Sequence, residues 1–304
     1  MKPRALVPGD LISFVSPASA LDREKLDFSI ALLEGWGYRV RLEDHALDSW
    51  GLFAGTDADR AADLMKAFTD PEVAAVYCTR GGYGCARLFP YLDLDAMAAS
   101  GKMFLGFSDI TVLHTPLNRR GLPTVHAPMG LTLHTPREPW VYESLRQAFI
   151  GGNPIPDEAP KGTTLIPGVV EGEVSGGCMI LMCDSLGTPE SVDLAGKIVL
   201  IEDVDEFPHR VDAMLTHLIN SGQLGSAAGL VIGEMTRTDE KADPTIKGTP
   251  WREIVKERVM PLGLPTVIDF PFGHGKQMLS LPQGIRARFD AGAGTLEYLE
   301  SLCR

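Results

Sequence analysis

The chain has 304 residues, which at roughly 150 per domain is enough for about two domains and a sizeable core, and this excludes a disulfide-stapled miniprotein. Apolar residues make up 44% and charged residues 22%, the balance of an ordinary globular protein and not of a membrane bundle or a disordered tail. Lys and Arg number 28 against 40 Asp and Glu, and the resulting net charge of −12 repels a phosphate backbone and argues against a nucleic-acid partner.

Five cysteines (Cys78, Cys85, Cys178, Cys183 and Cys303) are an odd number with no C-x-x-C pair, which suits reduced thiols in a cytoplasm and offers no zinc ribbon. At the start of the chain Lys2 and Arg4 precede an apolar stretch that ends in Ala18-Ser19-Ala20, superficially a signal peptide. Pro8-Gly9-Asp10 interrupts it, and Leu11 to Val15 is far below the ~20 residues of a membrane span. The expectation is a cytoplasmic protein without a membrane segment, with Leu11 to Val15 as its first strand.

Short β-rich runs then alternate with helical patterns, the signature of βαβ units and a largely parallel sheet. Arg23 to Gly35 reads as a helix, Tyr38 to Leu42 as a strand, and Thr56 as the N-cap of a helix with Ala61, Leu64, Met65 and Phe68 on its apolar face. Val73 to Cys78 is a buried strand that runs into Arg80-Gly81-Gly82-Tyr83-Gly84, and Met103 to Phe107 is another that runs into Ser108. Both junctions fall at the carboxyl ends of strands, where parallel sheets bind ligands. Gly151-Gly152-Asn153-Pro154 and the prolines at 156, 160 and 167 mark a linker over 151–168, between an N-terminal α/β domain at 1–150 and a C-terminal domain at 169–304. In the second domain strands are expected at Lys197 to Ile201, Gly229 to Ile232 and Thr266 to Asp269, and helices at Val211 to Asn220 and Trp251 to Met260. Late β-runs at Ile285 to Phe289 and Thr295 to Leu299 have no helix between them, which makes this domain mixed.

Ser108 occupies a strand-to-helix turn, where a hydroxyl is exposed and the following amides open a helix; capping of that helix by Ser108 or Asp109 is the competing reading. Three glycines in Arg80-Gly81-Gly82-Tyr83-Gly84 let backbone amides approach a ligand, as an oxyanion hole needs, and a plain tight turn is the alternative. Of seven histidines only His274 lies between two glycines just after a strand, which suits a base presented at a cleft. Glu202 and Asp203 end an apolar strand, and Glu202 is placed to orient an imidazole. The acidic run Glu202, Asp203, Asp205, Glu206 with His209 matches neither H-E-x-x-H nor an EF-hand loop, so no metal is expected. Nucleophile, base, orienting carboxylate and anion hole together make the set for acyl transfer.

These residues resemble the LD-carboxypeptidases, serine peptidases that include murein tetrapeptide carboxypeptidase and the microcin C self-immunity protein. The likeness rests on Ser16-Pro17, Phe53-Ala54-Gly55-Thr56-Asp57 with Arg60, Arg80-Gly81-Gly82-Tyr83-Gly84, Gly106-Phe107-Ser108-Asp109-Ile110-Thr111, Gly187-Thr188-Pro189, Ile201-Glu202-Asp203 and Gly273-His274-Gly275. The resemblance implies Ser108 as nucleophile, Glu202 and His274 as the rest of a triad, and an oxyanion hole from amides near Gly81 or Gly82 and at Asp109. It further implies a flavodoxin-like N-terminal domain, a β-rich C-terminal domain, an active site between them, homodimers, no metal and no organic cofactor. The segments His126-Ala127-Pro128 and Gly176-Gly177-Cys178-Met179 depart from the family pattern. The implied reaction releases a terminal D-amino acid from a small peptide, the murein stem, with Arg80 or Arg210 as candidates for the substrate carboxylate. Cleavage of other conjugates such as peptidyl-nucleotides is the alternative within the class, and a non-catalytic peptide- or sugar-binding protein is the alternative outside it.

Overall fold

The computed structural model describes residues 1–242, 245 and 248–304. The chain divides into two compact units: Met1–Pro156 with Ser280–Gly284 and Ser301–Arg304, and Asp157–Leu279 with Ile285–Glu300.

The first unit is an α/β layer structure. Strand β1 (Leu11–Val15) is followed by helix α1 (Asp27–Gly35), β2 (Arg39–Leu42), α2 (Asp57–Thr69), β3 (Val73–Cys78), α3 (Leu94–Ala99), β4 (Met103–Gly106), α4 (Thr111–Arg119), β5 (Thr124–His126) and α5 (Pro139–Ile150). The five strands are parallel in the order β2-β1-β3-β4-β5, which is the flavodoxin-like order with its switch point between β1 and β3. Every residue of β1 and β4 is buried, as expected of central strands covered by helices on both faces. Helix α2 starts where Thr56 predicts it: Thr56 Oγ1 accepts from the Asp59 amide at 3.3 Å and Asp59 Oδ2 from the Thr56 amide at 3.1 Å, a reciprocal capping box. Ala61, Leu64 and Phe68 lie in the core, with Met65 only half-buried.

The second unit contains β6 (Thr163–Ile166), β7 (Val169–Cys178), α6 (Met179–Ser185), β8 (Ile198–Val204), α7 (Pro208–Asn220), β9 (Gly229–Thr236), α8 (Trp251–Val259) and β10 (Thr266–Ile268). The chain then supplies β11 (Leu281–Gln283) to the first unit before β12 (Arg286–Asp290) and β13 (Thr295–Tyr298) return to the second. The sheet is mixed: β7, β8, β9 and β10 run parallel, while β12 on β7, β13 on β12 and β6 on β10 are antiparallel. One face is packed by α6, α7 and α8 through Met182, Leu215, Leu218, Trp251 and Val255 against Val199, Ile201, Leu230 and Ile232.

Two expectations about the boundaries need correction. The stretch 151–168 is not purely a linker, because Thr163–Ile166 forms the edge strand β6; the prolines at 160 and 167 flank it, as they can at a sheet edge where amide donors are not needed. The segment from 169 to 304 is not one domain, because Leu281–Gln283 pairs antiparallel with β5 and closes the edge of the first sheet. Among the described residues no helix is long and apolar enough to cross a membrane, and the five cysteines are buried free thiols.

Candidate active site

In the first unit, β4 ends at Gly106 and the chain turns through Phe107 and Ser108 into a short 3-10 turn, Ser108–Ile110, that continues as α4. Ser108 has φ +62°, a left-handed conformation that a residue with a side chain adopts at a cost of about 1–3 kcal/mol. A strand-to-helix elbow with that conformation lifts the hydroxyl out of the sheet and leaves the first amides of the helix without intrahelical partners. His114, one turn into α4, sends its Nε2–H to the Gly106 carbonyl at 2.9 Å; burial holds its pKa down at about 4, so it is a neutral strut beneath the elbow and not a base.

The glycine loop packs directly on this serine. A Cβ placed on Gly81 would lie 2.9 Å from Ser108 Cβ, 3.1 Å from its Oγ and 3.2 Å from the Asp109 amide nitrogen, so only glycine leaves that space open. The Asp109 carboxylate is buried and accepts the Cys85 amide at 2.8 Å, which ties the end of the loop to the elbow. The sequence pointed to Asp109 for its amide or as a helix cap; the tether from its buried carboxylate to Cys85 is a job that no spacing rule shows.

Gly82 takes φ +117° and packs on Ser19, whose Oγ would lie 2.2 Å from an added Cβ. Arg80 donates to backbone, with Nη1 to Ala20 O at 2.7 Å and Nε to Gly81 O at 3.1 Å.

In the second unit, Glu202 sits near the end of β8, where the pairing with β9 slips between Ile201 and Asp203. Its side chain is fully buried and Oε2 lies 2.6 Å from Nδ1 of His274. A carboxylate can only accept, so Nδ1 carries the proton and Nε2 is the basic nitrogen of the neutral ring. Burial pushes the His274 pKa down, but the charge and hydrogen bond of Glu202 outweigh it and leave the imidazole above its ordinary value. Gly273 permits the approach: a Cβ there would stand 2.8 Å from Glu202 Oε2. Glu202 Oε1 has no hydrogen-bond partner among the described residues, so the carboxylate is committed to the imidazole.

Asp203 turns the other way and accepts the amides of Ile180 at 2.9 Å and Val204 at 2.8 Å. Burial, with Glu202 beside it, raises its pKa to about 7. Arg210 lies exposed in the first turn of α7, 3.7 Å from Glu206. Among the described residues no three His, Cys, Asp or Glu side chains are grouped as a metal ion would require.

The structure thus gathers Ser108, Gly81, Gly82, Asp109 and Arg80 in one unit, and Glu202 with His274 in the other. The model of the LD-carboxypeptidase N-terminal domain matches residues 12–127, and that of the LD-carboxypeptidase C-terminal domain matches residues 171–289. The chain belongs to the LD-carboxypeptidase family. This LD-carboxypeptidase is 35% identical to a Bacillus subtilis protein named "Probable murein peptide carboxypeptidase", over 97% of this chain and 93% of that one. It is 31% identical to the murein tetrapeptide carboxypeptidase of Pseudomonas aeruginosa, over 90% and 91%. Among solved structures, the muramoyltetrapeptide carboxypeptidase of Oxalobacter formigenes superposes with a TM-score of 0.81 at 29% identity, covering 94% of this LD-carboxypeptidase and 97% of that chain. The microcin C7 self-immunity protein superposes with a TM-score of 0.86 at 20% identity, over 100% and 99%, a likeness of fold alone.

Proposed function

We propose that this carboxypeptidase hydrolyses the amide between an L-configured centre and a terminal D-amino acid, and that it releases D-Ala from the murein tetrapeptide during peptidoglycan recycling. The observation that carries the reading is Ser108, held at a strained elbow with the Gly81 backbone against its hydroxyl. Ser108 Oγ attacks the scissile carbonyl, and Nε2 of His274 takes the hydroxyl proton. Glu202 fixes the ring in the productive tautomer and stabilises the imidazolium that forms. Amides of Gly81 or Gly82 and of Asp109 receive the oxyanion. Collapse expels the amine of D-Ala, which takes its proton from His274, and water then releases the acyl group from Ser108 by the same steps in reverse.

The carboxylate of the leaving D-Ala calls for a cation; Arg80 and Arg210 are the candidates, and Arg210 is the more available because Arg80 already donates from Nη1 and Nε to backbone carbonyls. The five buried thiols fit a cytoplasmic setting. The family likeness supports a homodimer, and light scattering on the purified protein tests it.

The decisive experiment incubates the protein and its Ser108→Ala variant with L-Ala-D-Glu-diaminopimelate-D-Ala and follows loss of alanine by mass spectrometry. Release by the wild type alone is the expected result. A wild type that labels at Ser108 with a fluorophosphonate probe yet releases nothing would retain the serine hydrolase and move the substrate towards peptide conjugates. A protein that neither labels nor cleaves would be a binder and not an enzyme.

A further inference from the structure

Arg60 lies on the inward face of α2 with 1% of its surface exposed, a charge in a position where an apolar residue would be the cheaper choice for packing. A buried guanidinium persists when most of its donors are used, and here both Nη nitrogens are, although Nε has no partner among the described residues. Nη1 donates to the carbonyls of Pro17 and, at 3.1 Å, Gly84; Nη2 donates to the Asp57 carboxylate; and the group lies 4.8 Å from the centre of the Phe53 ring. Pro17 and Gly84 belong to the loops that leave β1 and β3, the two strands at the switch point of the first sheet.

Those two loops are stitched at further points. Ser16 Oγ and Thr79 Oγ1 are 2.6 Å apart, the Tyr83 amide donates to Ser19 Oγ at 3.3 Å, and Arg80 Nη1 reaches Ala20 O. Gly84 rests on the guanidinium itself, since a Cβ there would stand 2.8 Å from both Arg60 Nη1 and Phe53 Cε1. One residue further on, the Cys85 amide is held by Asp109. The 81–84 loop therefore has its far end clamped by Arg60 and Asp109, while its near end, Gly81, lies against Ser108.

We propose that Arg60 is a positioning residue for the oxyanion hole: by joining the Pro17 and Gly84 carbonyls it fixes the height of the glycine loop, and hence the aim of the amide beside Ser108. The inference rests on the reading of Ser108 and Gly81 given above. Arg60 touches neither substrate nor the reacting atoms. Its effect is felt in the transition state, because a ground-state carbonyl needs the hole less than a tetrahedral oxyanion does.

The test is Arg60→Lys, which keeps the charge but puts a single nitrogen on a shorter stem where the planar fork of Nη1 and Nη2 holds two carbonyls and a carboxylate. We expect kcat per folded enzyme to fall about 10- to 100-fold, below the ~10²–10³ of losing a hole donor outright. KM should stay within about twofold, and affinity for a peptide boronic acid, which forms a tetrahedral adduct on serine, should fall in step with kcat/KM. Where the lysine variant does not fold, Asp57→Asn loosens the same guanidinium from its exposed side and is read in the same way. Unchanged kcat per folded enzyme, with only the melting temperature lowered, would overturn the proposal. Ser108→Ala separates the two levels: if that variant still releases D-Ala the nucleophile assignment fails, whereas an inactive Ser108→Ala beside an Arg60→Lys of wild-type kcat sinks the role of Arg60 alone.

Discussion

Replacing Glu202 by Gln removes one charge from a fully buried contact and changes little in volume. The bond it alters is 2.6 Å long and carries charge on one side before the reaction and on both during it. A hydrogen bond to a charged group contributes about 1.5–3 kcal/mol. Its loss lowers the His274 pKa, because the carboxylate that raises it is gone while the burial that lowers it remains. As the proposed base, His274 works deprotonated, so activity is expected to rise with pH through this pKa. In the wild type the acid limb of kcat/KM therefore lies above the ordinary imidazole value of about 6.5, and in Glu202→Gln it moves down. The plateau falls as well, since the imidazolium in the transition state loses the same 1.5–3 kcal/mol, a factor of about 10–150 in rate. Steady-state kinetics from pH 5 to 9 reads both effects in one series. An acid limb that stays in place would show that the titrating base is another group, and an undiminished plateau would show that Glu202 does not act through His274.

Gly81→Ala puts a methyl 2.9–3.2 Å from Ser108 and the Asp109 amide, and φ at 81 is not in the left-handed region, so the effect is one of space. We expect kcat to drop towards the ~10²–10³ of a lost hole donor while the fold survives by circular dichroism; wild-type kcat would place the oxyanion elsewhere. Thr56→Ala removes the capping box of α2 and should cost about 0.5–2 kcal/mol in urea unfolding.

Much of this arrangement was legible in the residues. Ser108 and the glycine loop follow apolar runs that end abruptly, and a parallel sheet puts such ends where ligands bind, so strand pattern alone drew attention to them. His274 stood out for its two glycines, and the structure supplies their reason at Gly273, which clears room for Glu202. The use of Asp109 as a tether and of Arg60 as a clamp was not legible, because each depends on a partner far along the chain that no local period marks. Strand β6 was hidden for a similar cause: Thr163–Ile166 is short, bounded by proline-rich sequence, and owes its structure to β10. Strand β11 is shorter still, and its own residues say nothing of which sheet receives it.

That strand sets the order in which the protein can be completed. The sheet that carries Ser108 lacks its last member until Leu281–Gln283 has been made, although every other strand of that sheet lies within the first 126 residues. During synthesis β5 is therefore left with an open edge while Asp157–Leu279 of the second unit emerges, and closing it requires the kind of distant pairing that slows folding. Ser108 thus stays on an unfinished scaffold until both Glu202 and His274 have been made, so a nascent or truncated chain carries the proposed nucleophile without a closed sheet beneath it.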